Sequence, residues 1–118
     1  MLISGPTVAL EDAMHLIALV DERADLAHLQ IKKYRNFLTI FSFEGRRLRR
    51  HARLALRCDR TWQVHLPAAS DEWRATRLTG SFNDLTRILF DTYGVELGRG
   101  PDALKAILSR DRYVGLAS

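Results

Sequence analysis

Arg46-Arg47-Leu48-Arg49-Arg50-His51-Ala52-Arg53-Leu54-Ala55-Leu56-Arg57 can be read in two ways, and the choice decides the fold. As a helix, Leu48, Ala52, Ala55 and Leu56 form a stripe, and Arg, Leu and Ala all have good helix propensity. As a strand, Leu48, Arg50, Ala52, Leu54 and Leu56 alternate with Arg47, Arg49, His51, Arg53, Ala55 and Arg57. The segment downstream favours the strand. Trp62-Gln63-Val64-His65-Leu66 alternates cleanly and needs a partner, which residues 46–57 supply across a short turn at Asp59. The helix stays as the alternative.

Parity then sets the register. With Leu56 beside Trp62, Leu54 falls opposite Val64 and Ala52 opposite Leu66, which requires an odd-length loop such as Cys58-Asp59-Arg60. Upstream, Phe37-Leu38-Thr39-Ile40-Phe41-Ser42-Phe43 is aromatic and β-branched and stops at Glu44-Gly45, a strand entering a tight turn. A two-residue Glu44-Gly45 turn pairs Phe43 with Arg46, Phe41 with Leu48 and Phe37 with Ala52. Both hairpins then reach the same core face, giving a three-stranded antiparallel meander.

Around this meander the chain reads as helical. Residues 7–22 form a helix capped by Thr7, with Leu10, Ala13, Met14, Leu16, Ile17 and Val20 inward. Residues 25–35 fit a short second helix slightly better than a strand. Residues 67–80 read as a loop or single turn, because Trp73 to Thr79 show poor amphipathicity. Ser81 caps a helix that uses Phe82, Leu85, Ile88, Leu89 and Tyr93 and ends at Gly94. Gly98-Arg99-Gly100 is a link, and Pro101 opens a last helix through about Ser109. The expected fold is α+β: an N-terminal helix or helix pair, the three-stranded meander, and two C-terminal helices packed on one sheet face. The covered face takes Phe37, Phe41, Leu54, Leu56, Trp62, Val64 and Leu66. The open face carries Arg47, Arg49, His51, Arg53, Arg57, Gln63 and His65, edged by Leu38 and Ile40.

At 118 residues, 47% apolar and 27% charged, the chain has the size and composition of one globular domain spanning 1–118. Its single cysteine, Cys58, excludes an internal disulfide framework. No stretch approaches the ~20 apolar residues of a membrane span. Met1-Leu2-Ile3-Ser4-Gly5 carries no basic side chain, unlike a secretory leader, so a cytoplasmic location and no membrane partner are expected.

The net charge of +4 is uneven. Lys32, Lys33, Arg35, Arg46, Arg47, Arg49, Arg50, Arg53, Arg57 and Arg60 face only Glu44 and Asp59, which leaves this stretch at +8 and the remainder at −4. Arginine offers a planar fork of donors that suits phosphate and carboxylate, and it stacks on flat rings. Two readings follow. In the first, a small non-enzymatic binding module grips nucleic-acid phosphates with Lys32, Lys33, Arg46, Arg47, Arg49, Arg50, His51, Arg53, Arg57 and Arg60, with little sequence preference. In the second, a protein-interaction module binds an acidic partner or self-associates as a homodimer, as a regulatory or inhibitory subunit of a mobile element would. Trp73, beside Arg74 and Arg77, is a candidate interaction anchor.

Catalytic patterns are missing from the sequence. There is no phosphate-binding glycine loop and no Gly-x-Ser-x-Gly elbow, and Cys58 has no base placed near it in sequence. Glu11, His15 and Glu22 share a helix face but lack paired metal-ligand spacing. His51 and His65 are expected together on the arginine face, where cations disfavour both a metal and a protonated ring. No catalytic residue, cofactor or metal is therefore expected.

Overall fold

The computed structural model describes residues 6–110. It is an α+β arrangement of helices over a five-stranded antiparallel sheet. In chain order come α1 (Leu10–Asp21), a 3₁₀ turn (Ala24–Leu26), β1 (Gln30–Tyr34), β2 (Phe37–Glu44), β3 (Arg47–Leu56), β4 (Trp62–Pro67) and β5 (Trp73–Gly80). The helical tail is α2 (Phe82–Arg87), a π-helical turn (Ile88–Thr92), α3 (Gly94–Arg99) and α4 (Pro101–Arg110). Spatial strand order equals chain order, so every neighbour pair is a hairpin.

The strand reading of residues 46–57 holds, and so does the register of β3 on β4: Leu56 faces Trp62 and Leu54 faces Val64. Arg57 N–H closes this hairpin on Thr61 C=O at 2.8 Å around Cys58-Asp59-Arg60. Asp59 fixes the loop by accepting from both the backbone N–H and the hydroxyl of Thr61.

Three strands become five. Residues 30–34, expected as helix, pair with β2 from Gln30–Phe41 to Tyr34–Phe37. Residues 73–80, expected as loop, pair with β4. Their ladder is interrupted between Gln63 and His65, where Thr76, Arg77 and Leu78 stand opposite the single Val64. The Thr76 hydroxyl bridges the gap, donating to Val64 C=O at 2.8 Å and accepting from Leu78 N–H at 3.1 Å. Two extra residues leave the facing unchanged, and the alternation is hidden because, of the inward-parity positions Arg74, Thr76 and Leu78, only Leu78 is apolar.

A one-residue bulge in β3, which reverses the facing beyond it, corrects the facing of β2. The two-residue turn is Gly45-Arg46 rather than Glu44-Gly45, with Gly45 in the left-handed region at φ 64°. Phe43 therefore faces Leu48, and Phe41 faces Arg50. A bulge then leaves His51 without a partner, and Ile40 faces Ala52. Leu48 and Leu54 have the same parity yet point to opposite faces. Leu38, Ile40, Ala52, Leu54, Val64 and Leu66 all lie in the core, while Phe37 and Phe41, expected inside, line the uncovered face.

The helices cover one face only. Leu85, Leu89, Leu97, Leu104 and Leu108 are wholly buried in the same core. Ser81 caps α2 as expected, accepting from Asp84 N–H, and Phe82 packs on Trp62 with ring centres 5.0 Å apart. The helix does not stop at Gly94. It passes through the π turn, closed by Tyr93 N–H on Ile88 C=O, and resumes as α3. This turn offsets the hydrogen-bond ladder, and the Arg23 guanidinium donates to Phe90 C=O while holding Asp25 with its other nitrogens. A Cβ on Gly94 would sit 2.2 Å from that guanidinium, which explains glycine there. On α1 only Ala13, Leu16 and Val20 are buried. Leu10, Met14 and Ile17, expected inward, are exposed, because α1 packs against β1 at the rim of the sheet and one flank overhangs it.

The bulge gives a direct test. Leu54→Ala is expected to cost roughly 2–5 kcal/mol in chemical denaturation, as a large-to-small change in a packed core. Leu48→Ala, at the same parity six residues earlier, is expected to stay within about 0.5 kcal/mol. Equal losses at the two positions would place both leucines on one face and remove the bulge.

Candidate interaction face

The uncovered face of the sheet is a shallow trough of about 600 Å³. Its walls come from four strands: Gln30, Lys32 and Tyr34 on β1, Phe37, Thr39, Phe41 and Phe43 on β2, Leu48, Arg50 and Arg53 on β3, and Trp73 on β5. Among the described residues, no carboxylate lines it. Tyr34, Phe43 and Leu48 are each about half or more exposed, at 57%, 50% and 53%. Water-exposed aromatic and aliphatic side chains grouped on one surface mark binding faces more often than they occur by chance.

The cations expected on one face are divided by the bulge. Arg50 and Arg53 lie in the trough. Arg49, on the opposite side of β3, pairs with Glu44 at 2.7 Å and lies against Gly100 between α3 and α4. Arg47 neighbours it beyond the Gly45-Arg46 turn, with both turn residues exposed. Arg57 pairs with Asp59 at 3.3 Å at the far end of the strand, next to exposed Arg60. Lys32 enters the trough from β1, and Lys33 has the opposite facing. The continuous arginine ladder read from the sequence is thus not formed.

His51 moves to the helix side and is 1% exposed. Leu97 C=O can only accept, so the Nδ1–H of His51 donates to it at 2.7 Å, and Nε2 accepts from the Ser42 hydroxyl at 2.7 Å. This serine–histidine pair has the tautomer that general-base catalysis uses. Ser42 is itself only 4% exposed, so the pair is closed to a substrate and ties β2 and β3 to α3. His28 packs edge-on against it and donates to Gly98 C=O at 2.8 Å. Burial lowers the His51 pKa, with nearby Arg49 and His28 adding to the effect against the opposing pull of the Leu97 carbonyl.

Arginine and aromatic side chains interlock in the trough. The Arg53 guanidinium lies 3.7 Å from the Phe37 ring centre and 4.7 Å from that of Trp73. Its Nε–H donates to His65 Nδ1 at 3.0 Å. Burial and the neighbouring Arg50 bring its pKa down to about 10, which leaves it charged near neutrality. His65, which was expected beside His51, is on this opposite face. Burial first and Arg53 second push its pKa down to about 4, so it is the neutral acceptor that Arg53 needs. Arg50 covers the Trp73 ring at 4.8 Å and donates to Ser70 C=O at 2.6 Å and Glu72 C=O at 3.2 Å, which fixes the β4–β5 loop. Trp73, singled out from sequence as an anchor, therefore stands at the start of a strand with arginine on its ring.

Phe37, Phe41, Phe43, Leu48 and Tyr34 are the trough residues that sequence reading missed. For Phe37, Phe41 and Phe43 the signal was present as aromatic residues of one parity in β2, whose facing the bulge concealed. Among the described residues, no three His, Cys, Asp or Glu side chains gather as a metal site, and no helix is long and apolar enough to cross a membrane. Compared with known proteins, the chain matches no family model, no curated protein and no solved structure.

The two shifted histidines predict acid sensitivity. Each binds fewer protons folded than unfolded below the ordinary value of 6.5, so stability is full above that pH and falls as the pH drops, for His65 until its folded value of about 4 is passed. Melting temperature measured from pH 7.5 to 4.5 is expected to fall steadily. His65→Gln, which keeps an acceptor for Arg53 but does not titrate, is expected to flatten part of that slope. An unchanged slope would show that His65 titrates normally.

Proposed function

We propose that this protein is a protein-interaction module whose uncovered sheet face binds an acidic, partly apolar partner surface. The observation that carries the reading is the trough itself: half-exposed aromatic rings around arginines that have no carboxylate within it. Aromatic residues and arginine are enriched at the centres of protein interfaces, where lysine and acids are depleted. Rings that stack on Arg50 and Arg53 hold these long side chains in place, so less rotamer entropy is lost when a partner binds. The partner is a different, acidic protein, since this chain carries a net charge of +4 and complements its own basic face poorly.

A single-stranded nucleic acid is the second reading, favoured by one observation: exposed ring faces of Tyr34 and Phe43 beside Lys32 and Arg50. Bases stack on such rings while cations track the backbone. About three phosphate contacts would give a log–log salt slope near −2 on single strands.

A photo-crosslinking side chain at Thr39, in the trough floor, tests these readings in the cells that make the protein. One specific other protein is expected to be captured, and capture of the protein itself would replace that partner with a second copy. Phe43→Asp is expected to lose that capture while unfolding within about 0.5 kcal/mol of the wild type, since the ring is half exposed. Capture of RNA or single-stranded DNA instead, with the salt slope above, would move the face to the second reading. No specific capture of either kind would overturn both.

A further inference from the structure

We propose that Arg53 is the carboxylate receptor of the trough: its guanidinium takes an acidic side chain of the partner between the Phe37 and Trp73 rings. The inference rests on the protein-interaction reading and names the chemistry of its central contact.

Three observations carry it. First, Arg53 is held by three neighbours. Its face stacks on Phe37, Trp73 flanks it, and its Nε–H is occupied by His65. Second, among the described residues it makes no ion pair, whereas Arg23, Arg49, Arg57 and Arg87 each hold a carboxylate. Third, it is half-buried in a site that none of the described acids lines, so its positive charge is only partly hydrated. A guanidinium whose terminal amino groups remain available presents two parallel donors, the geometry that carboxylate accepts in bidentate form. Arg50 differs, because both of its terminal nitrogens already serve the Ser70 and Glu72 carbonyls. It supplies charge and braces Trp73, and leaves Arg53 as the receptor.

The surroundings define the ligand further. Phe41, Phe43 and Leu48 continue the trough beyond Arg53 as apolar wall, so the acid is expected beside an aromatic or aliphatic residue. A phosphate fits less well. It offers a tetrahedral, more strongly hydrated anion, and the trough provides no cluster of helix-terminal N–H groups to replace that hydration.

Short peptides test this on the full chain, with isotope-labelled protein observed by NMR through the Arg53 Nε–H and Trp73 indole signals. The acetylated, amidated peptide Phe-Glu-Leu is expected to shift both signals saturably, with a dissociation constant near ~1 mM. The Gln counterpart is expected to bind about tenfold more weakly, a comparison that leaves the protein unaltered. Arg53→Lys, which keeps the charge and loses the fork, is expected to abolish the Glu preference, while Arg49→Lys on the opposite face keeps it. Equal binding of the Glu and Gln peptides would overturn the proposal. So would binding only when the Gln peptide carries a free C-terminal carboxylate, or stronger shifts with inorganic phosphate. If the crosslinked partner is still captured by Arg53→Lys at wild-type yield, the interaction face stands and the role given to Arg53 falls.

Discussion

The bulge at His51 is the constraint on which the rest depends. Without it, an alternating strand would send Leu48, Arg50, Ala52, Leu54 and Leu56 to one face, mixing a charged group into the core. The extra residue lets the first half of β3 give Leu48 and Arg50 to the open face and the second half give Ala52, Leu54 and Leu56 to the core. It also turns His51 inward, where two hydrogen bonds satisfy a ring that would otherwise be costly to bury. The polar clamp at Ser42, His51 and Leu97 thus stabilises the irregularity that creates it, and docks α3 in the process.

A second irregularity, at Thr76, is of another kind. Thr76, Arg77 and Leu78 stand opposite the single Val64, and two extra residues leave the facing unchanged. The Thr76 hydroxyl bridges the interruption, donating to Val64 C=O and accepting from Leu78 N–H. Trp73 reaches the open face and Leu78 the core by ordinary alternation. The trough therefore depends on the bulge in β3, which brings Arg50 and Arg53 to the face that Trp73 already shares.

Much of the framework was legible in the residues. The α+β class, the strand assignment of residues 47–56, the β3–β4 register and the Ser81 cap all follow from alternation, loop parity and capping chemistry. What could not be read has separate causes. Periodicity assumes an unbroken period of two, and the one-residue bulge at His51 resets it, so the facing of Phe37 and Phe41 came out reversed. β5 looked like a loop because two of its three inward-parity positions, Arg74 and Thr76, are polar. The helix α1 failed differently: its apolar arc is broader than the surface available at the sheet rim, and a sequence does not reveal how far a neighbour extends. Among the candidate site residues, Arg50, Arg53, Lys32 and Trp73 meet in the trough. Arg47, Arg49, His51, Arg57 and Arg60 do not, because they sit beyond the bulge, in the core, or at the far turn.

The strict division of β2 separates two kinds of evolutionary change. Leu38, Ile40 and Ser42 are buried, while Phe37, Thr39, Phe41 and Phe43 line the trough. On the reading proposed above, drift at the second set would alter recognition without touching the core, so partner choice in descendants of this chain can diverge while the architecture stays fixed. The exception is Phe37, which supports Arg53 from below and links the two sets.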